Sequence, residues 1–465
     1  MDKNEIKELA NYCLNCKVKP CQKGCPLGND IPEFIKNIKE ENYKNAYRVL
    51  CNTTVLESVC GRICPHMSQC MGNCVRGIKS NPVNIGKLEA FVGDEAIKNE
   101  WKISDDLKNE GNNSKNKYSK IKVAVIGSGP AGLTNAAFLA KKGVNVTIFE
   151  KKEQCGGLLR YGIPEFRLDK KTLDKTIQKI LDLGINVEFN KEIGVNIFLD
   201  DLIKQFDFIF ISIGANIPWK MGIDGENLNG VYGGNSLLEY NIHPDYSGKN
   251  VAIIGGGNVA MDCARTVNKM GAKSVKIIYR RAENQMPAEV KEIEDAKSEG
   301  VEFLFQTNIV KIIGNDSKIE KKDLLKNNYV AQKLIEKNQL QKNQEIQNKL
   351  IKKVQKIECI KTQLIQKPGE SRLSPVNIEN SNFNIDIDYV IMAIGSMPEE
   401  KIVNNLGLEL DSKGYIKTNE NNETSIKNVF AGGDVSGAKS TVAYAARTGR
   451  NVAEIILKTI DEKIK

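Results

Sequence analysis

The stretch Ile121-Lys122-Val123-Ala124-Val125-Ile126 runs directly into Gly127-Ser128-Gly129-Pro130-Ala131-Gly132, and an alanine- and leucine-rich run follows. The first part has the apolar, β-branched content of a buried strand, and the last part suits a helix. A second strand, Val144-Asn145-Val146-Thr147-Ile148-Phe149, ends in Glu150. A lone G-x-G-x-x-G is a weak signal. Between a strand and a helix, with an acid closing the next strand, it describes a dinucleotide-binding βαβ unit. Gly127 permits the tight turn, Gly129 lets a pyrophosphate approach the backbone, and Gly132 lets helix and strand pack closely. The helix N-terminus beyond Pro130 and Ala131 stabilises phosphate charge. The candidate binding residues are therefore Gly127, Ser128, Gly129, Pro130, Ala131 and Gly132, with Glu150 accepting hydrogen bonds from a ribose.

The pattern recurs. Asn250-Val251-Ala252-Ile253-Ile254 leads into Gly255-Gly256-Gly257-Asn258-Val259-Ala260, and the next strand, Val275 to Tyr279, ends in Arg280-Arg281. Two differences are informative. Ala260 stands at the third glycine position, and arginine replaces the acid. Arginine cannot accept from a ribose 2′-hydroxyl but pairs well with a 2′-phosphate. This second site reads as one for NADPH, built from Gly255, Gly257, Asn258, Val259, Ala260, Arg280 and Arg281.

Phe208 to Ala215 forms another apolar strand closing on Gly214, and Ile387 to Gly395 echoes it. The echo supports two nucleotide domains, one inserted in the other. Gly156 and Gly157, followed by Leu158, would let the backbone approach a large planar ligand. Asn428-Val429-Phe430-Ala431-Gly432-Gly433-Asp434 resembles the second flavin motif of two-dinucleotide flavoproteins, with Asp434 on a ribityl hydroxyl. Ser440-Thr441-Val442 opens an alanine-rich helix whose N-terminal N–H groups suit a flavin carbonyl. Cys155 lacks the nearby second cysteine of a flavin disulfide reductase and reads as structural. Between Lys311 and about Ile360 the chain is rich in Lys, Gln and Asn and reads as an inserted excursion, partly helical and partly mobile.

Nine of the twelve cysteines lie between Cys13 and Cys74. Eight form two runs, Cys13, Cys16, Cys21, Cys25 and Cys60, Cys64, Cys70, Cys74. Cys51, between them, reads as a packed small hydrophobe. Eight thiolates satisfy two four-iron clusters or two zinc ions. The dense runs, with turn-forming residues after Cys25, Cys60 and Cys64, favour iron–sulfur over separated zinc knuckles. By analogy with ferredoxins, Cys74 would join Cys13, Cys16 and Cys21, while Cys25 would join Cys60, Cys64 and Cys70. Ile31, Phe34, Ile35 and Ile38 share a helical face, so a small helical domain is expected around the clusters. Past Trp101 a polar run forms a linker.

At 465 residues the chain exceeds a single core. Its net charge of +9 is spread widely, without aromatic-and-basic motifs, which argues against nucleic-acid binding. The charged N-terminus has no apolar core of a signal peptide, and Val123–Ala140 is broken by glycines and proline, so no membrane association and a cytoplasmic location are expected. Dense cysteines in a reducing compartment suggest redox or metal chemistry.

The eight cysteines, CGRICP at Cys60–Pro65, GSGPAG, GGLLRYGIPEFRL at Gly156–Leu168, GGGNVAMD and AGGDV together resemble the small (β) subunit of NADPH-dependent glutamate synthase and its relatives. Those relatives include the large subunit of the NADH-dependent ferredoxin:NADP oxidoreductase and the N-terminal part of dihydropyrimidine dehydrogenase. The resemblance spans nearly the whole chain, the Lys/Gln/Asn-rich insertion excepted. It implies an α/β protein with two Rossmann-like dinucleotide-binding domains preceded by a helical iron–sulfur domain with two [4Fe–4S] clusters (1–115). FAD binds 120–245 with 385–465, and NADPH binds 246–384, which carries the insertion near 315–358. It further implies an NADPH-dependent flavin oxidoreductase with no catalytic side chain. Hydride passes from NADPH to FAD, and single electrons pass through the clusters to an electron-accepting or electron-donating protein subunit. Homo-oligomers are compatible with this reading. No glutaminase nucleophile or FMN barrel is present, so either a large subunit supplies the chemistry of glutamate synthesis or the chain is a stand-alone NADPH:acceptor oxidoreductase. The alternatives are a subunit of an electron-bifurcating transhydrogenase, with a smaller flavin subunit as partner, and a non-catalytic redox sensor or scaffold.

Overall fold

A computed structural model describes residues 2–103, 117–315, 352–369 and 372–464. The chain divides into two compact units. Met1–Ala215 joins Met397–Lys465 in the first, and Asn216–Ser396 forms the second, inserted within it.

In the first unit a parallel sheet runs in the order Val429–Ala431, Phe208–Ile211, Lys122–Ile126, Asn145–Glu150, Asn186–Phe189. Its inner strands are buried on both faces, which explains their unbroken apolar sequences. Val123, Val125, Val146, Ile148, Phe208 and Phe210 point to one side, against the Pro130–Ala140 and Val442–Ile464 helices. Ala124, Ile126, Ile209 and Ile211 point to the other, against Leu199, Leu202, Ile402 and Val403. The Val442–Ile464 helix comes very close to the Pro130–Ala140 helix. A Cβ added at Gly449 would lie 2.1 Å from the Ala131 carbonyl oxygen, and Asn135 Nδ2 donates to the Gly449 carbonyl at 2.9 Å.

The cysteine-rich segment is helical: Lys3–Asn11, Pro20–Gly24, Ile31–Lys39, Tyr43–Cys51, Glu57–Ile63 and Ile85–Lys98. Side-chain oxygens of Asp30, Asn42 and Asn84 cap three of these helices, accepting from the N–H of Glu33, Asn45 and Lys87. Ile31, Phe34, Ile35 and Ile38 are all buried, as their spacing predicts. Gly61 and Gly93 let Glu57–Ile63 and Ile85–Lys98 touch backbone to backbone and backbone to Ser58. The segment is no separate lobe of the first unit. Ile6, Phe34, Leu50, Val59 and Leu88 belong to the same apolar core as Val123 and Leu133.

The second unit repeats the first sheet's plan. Val231–Gly233, Tyr389–Met392, Asn250–Ile254, Ser274–Tyr279 and Glu302–Phe305 lie parallel in that order. In each sheet the strand before the glycine turn sits in the middle, flanked by the strand ending in Glu150 or Tyr279 and by one half of the sequence echo. An antiparallel layer adds Thr307–Asn315, Lys353–Ile365, Ser374–Asn377 and Phe383–Asp386.

Two boundaries differ from the sequence expectation. Residues 216–245 and 385–396 belong with the second unit, because Val231–Gly233 and Tyr389–Met392 pair within its sheet. The Lys/Gln/Asn-rich excursion also begins and ends in strand: Lys311–Asn315 and Lys353–Ile360 pair antiparallel. Alternation of apolar residues, as at Val354, Ile357 and Cys359, buries one face of the returning strand beneath its lysines. The expectation of partly helical, partly mobile structure for 316–351 lies outside the described residues. Among the described residues no helix is long and apolar enough to cross a membrane.

The close helix approach makes a prediction. Gly449→Ala forces a methyl against the Ala131 backbone and should destabilise the first unit by about 1–3 kcal/mol, read as a lower denaturation midpoint. An unchanged midpoint would contradict the packing described.

Candidate functional site

All eight cysteines of the two runs are free thiols, and the fold sorts them into two neighbourhoods. Cys13 feels the charge of Cys74 and Cys16, and Cys21 that of Cys13 and Cys74. Cys25 feels Cys60, Cys64 feels Cys60 and Cys70, and Cys70 feels Cys25. Cys70 also senses Cys21, so the two groups adjoin. The crossing arises locally. Cys21 lies on the Pro20–Gly24 helix, and Cys25 is its C-terminal cap. The Met71–Asn73 turn likewise holds Cys70 at one end and Cys74 at the other. Each short element therefore gives one cysteine to each group.

The donor chemistry fits iron–sulfur clusters. Backbone N–H groups of Asn15, Gln22, Asn29, Leu27 and Met71 point at the sulfurs of Cys13, Cys21, Cys25 and Cys70. Such bonds stabilise cluster thiolates. Burial pushes the Cys21 and Cys25 thiols up to about 11, so negative sulfur there needs a compensating cation. Among the described residues no three of the His, Cys, Asp or Glu side chains converge as ligands of a single ion. No sequence motif marks Glu89. It is buried beside Cys25, Cys64 and Cys70, is pushed up to about 8 by burial first and then by Glu57, and accepts from Asn29 Nδ2 at 3.1 Å.

The first glycine turn has the features of a pyrophosphate cradle. Gly127 has φ +95°, and a Cβ there would meet the Ser212 carbonyl. At Gly132 a Cβ would strike the Gly127 oxygen at 1.9 Å, so only glycine fits. Gly129 is different: its backbone suits any residue, and a Cβ would meet nothing within 4 Å. The open space lies where a phosphate must come. Gly157 crowds in from the other side, its absent Cβ 2.9 Å from Gly129 Cα. Glu150 already holds this turn. It accepts from the Ser128 N–H at 2.9 Å, from Ser128 Oγ, and from the Lys152 N–H at 2.8 Å. A carboxylate has about four acceptor positions, leaving room for a ribose hydroxyl. Ser128 in turn accepts from the Gly156 N–H at its carbonyl and its Oγ. Ser212, missed in the sequence, donates from Oγ to the Ile126 and Gly127 carbonyls at 3.0 and 3.1 Å. Cys155 is buried next to Ser128, with its thiol pushed up to about 11 by burial. Gly214 ends the neighbouring strand with φ +75°.

The Gly432-Gly433-Asp434 segment, the second candidate flavin element, lies in the same unit. Gly433, at φ +74°, packs against Ala131, and its N–H donates to Thr448 Oγ1 at 2.8 Å. Burial alone pushes the Asp434 carboxyl from 3.8 up to about 6. Leu158 begins the short Leu158–Tyr161 helix, and Val442 begins the long C-terminal one. Two contacts tie this helix to the cysteine domain, and neither was visible in the sequence. Gln69 Nε2, next to Cys70, reaches Thr441 Oγ1 at 3.5 Å. Arg450 donates to the carbonyls of Leu27 and Thr53, both at 2.8 Å.

In the second unit Gly255, at φ +139°, packs on the Ala393 carbonyl, and Gly256 packs on the Tyr279 ring. Gly257 caps the Asn258–Lys269 helix and, like Gly129, faces open space, its nearest neighbour being Pro287 at 3.9 Å. Asn258 Oδ1 accepts from the Glu289 N–H at 2.9 Å. Val259 is half-buried, and Ala260 is wholly buried with its methyl accommodated. Arg280 is exposed just past the strand, and Arg281 donates from Nε to the Leu373 carbonyl at 3.2 Å.

Two predictions follow from this geometry. Gly129→Ala should fold with an unchanged melting temperature yet lose at least about tenfold in flavin affinity, roughly 1.4 kcal/mol. Full flavin content in the purified variant would exclude this cradle. The raised Asp434 pKa favours the protonated carboxyl in the fold. Its stabilising contribution is complete below about pH 3.8 and is lost as pH rises through about 6. Flavin-free protein should therefore lose up to about 3 kcal/mol between pH 4 and pH 7 from this group. Asp434→Asn should remove that part of the slope in urea unfolding, and an identical slope in the variant would refute it.

Comparison with known proteins gives the family. Residues 1–101 match the family of dihydropyrimidine dehydrogenase domain II, 4Fe–4S cluster. Residues 121–337 and 330–449 match the pyridine nucleotide-disulphide oxidoreductase family. The chain is 31% identical to the glutamate synthase [NADPH] small chain of Halomonas elongata, over 97% of this chain and 90% of that one. It is 30% identical to the Escherichia coli protein of the same name, over 98% and 92%. Among solved structures, Mycobacterium tuberculosis FprA in complex with NADPH shares the fold at a TM-score of 0.58 and 18% identity, covering 74% of this chain and 85% of that one. An N-terminal 4Fe–4S domain fused to two parallel-sheet nucleotide units, with relatives matched nearly end to end, places the chain in the family of glutamate synthase small chains, within the pyridine nucleotide-disulphide oxidoreductases.

Proposed function

We propose that the chain oxidises NADPH at its second unit and delivers single electrons through two [4Fe–4S] clusters to a partner protein, as a glutamate synthase small subunit does. When bound, FAD would take a hydride from the nicotinamide, and the clusters would carry its electrons onward one at a time. Gly129 and Gly157 would admit the FAD pyrophosphate, Glu150 would hold its ribose, and Asp434 a ribityl hydroxyl. The Thr441–Val442 helix start would offer N–H groups to the ring. Gly257 would admit the NADPH pyrophosphate, with Arg280 and Arg281 on its 2′-phosphate. Cys13, Cys16, Cys21 and Cys74 would hold one cluster, and Cys25, Cys60, Cys64 and Cys70 the other.

The observation that carries this reading is the contact between Gln69 and Thr441. It sets the sulfur group containing Cys70 beside the helix start assigned to the flavin. Cys155, buried and free, offers no disulfide route for flavin electrons. Cys13 and Cys16 are less buried than Cys60, Cys64 and Cys70, and exposed Leu14 and Val18 flank them. That gradient supports an outer cluster facing a protein partner and an inner one facing the flavin.

Anaerobic reconstitution tests the proposal. About eight iron and eight sulfide per chain are expected, with bleaching of the flavin absorbance by one equivalent of NADPH. Cys16→Ser should lower iron to about half and leave the bleaching intact, since the inner cluster and flavin remain. Flavin that stays oxidised under NADPH, or iron far below eight, would sink the assignment.

A further inference from the structure

The second unit brings a third arginine to the end of the Ser274–Tyr279 strand. Arg372 is remote in sequence and lies just before the Ser374–Asn377 strand of the antiparallel layer. It donates from a terminal guanidinium nitrogen to Tyr279 Oη at 3.0 Å and also to the Gln285 carbonyl. Tyr279 Oη donates to the same carbonyl at 2.7 Å. The ring of Tyr279 lies against Gly256, in the middle of the glycine turn, so Arg372 is anchored to a wall of the nucleotide site. Its neighbour Leu373 accepts from Arg281 Nε. On the other flank Thr362 Oγ1 donates to the Arg280 carbonyl at 2.8 Å. The antiparallel layer thus grips Arg280 and Arg281 by their backbone and side chain and adds a guanidinium of its own.

Arg281 lies within range of both other positive charges. Arg281 is held below its usual value first by burial, then by Arg372 and by Arg280. Among the described residues no carboxylate pairs with any of the three. By contrast Arg265, on the preceding Asn258–Lys269 helix of the same unit, is ringed by Glu292, Asp295 and Glu299. Like charges gathered without a counter-charge, beside an open glycine turn, make a receptor for a dianion.

We propose that Arg372 is a specificity-determining residue, completing with Arg280 and Arg281 a three-arginine site for the 2′-phosphate monoester of NADPH. This deepens the NADPH reading above and rests on it. A planar fork on a separate loop supplies hydrogen bonds from a direction that two consecutive arginines cannot, and a phosphate monoester has oxygens to accept them.

The test is calorimetric titration of the reconstituted full chain with adenosine 2′,5′-bisphosphate and with 5′-AMP. Wild type should prefer the bisphosphate. Arg372→Ala should weaken bisphosphate binding about tenfold or more and leave 5′-AMP binding unchanged, with Arg372→Lys between. Tyr279→Phe keeps the ring but removes the anchoring hydroxyl, and should leave 5′-AMP binding intact, which separates loss of the charge from collapse of the wall. If Arg372→Ala leaves the bisphosphate preference whole while Arg280→Ala abolishes it, the third-arginine inference is overturned and the NADPH reading stands. If wild type binds the two nucleotides equally, both fall.

Discussion

A single continuous apolar core joins the cysteine segment to the first parallel sheet, and the half-buried side chain of Arg450 fastens the two together from the C-terminal helix. Within the first unit these features fix where the sulfur groups stand relative to the glycine cradle. The helix that carries Arg450 also begins at Thr441, packs on the Pro130–Ala140 helix through Gly449, and passes Thr448 to Gly433. One rigid rod thus touches the cluster domain, the pyrophosphate turn and the Asp434 segment. This close packing holds the three parts at fixed distances from one another.

The sheet architecture was legible because parallel strands covered on both faces must be apolar throughout, as at Val123–Ile126 and Val251–Ile254. The glycine turns were legible because sterics leave few choices: nothing but glycine fits at Gly132. The eight cysteines could be read from density and spacing, and their division into two groups follows from short elements with a cysteine near either end. The domain borders were harder to read. Tyr389–Met392 looks as though it should return to the flavin domain, yet strand pairing, which sequence does not display, keeps it in the second sheet.

The missed residues share a physical reason. Gln69, Ser212, Arg372 and Arg450 act across long sequence separations, through one or two hydrogen bonds to backbone or hydroxyl groups. No periodicity or local motif marks such residues. Glu89 is hidden in another way: its helix position looks like any amphipathic glutamate until the fold turns it toward sulfur. Conversely, Glu150 proved to do more than its motif implies, since it braces Ser128 as well as standing where a ribose is expected.

Four strands of each sheet follow the same order, differing only at the outer edge strand, and their second strands end differently, in Glu150 in one and in Tyr279 followed by Arg280 in the other. The two units thus share a sheet plan and differ at the strand ends that line their glycine turns. Coenzyme choice in such a design is a matter of a few edge side chains. It can drift or be exchanged in evolution without disturbing the hydrophobic interior that makes either copy fold.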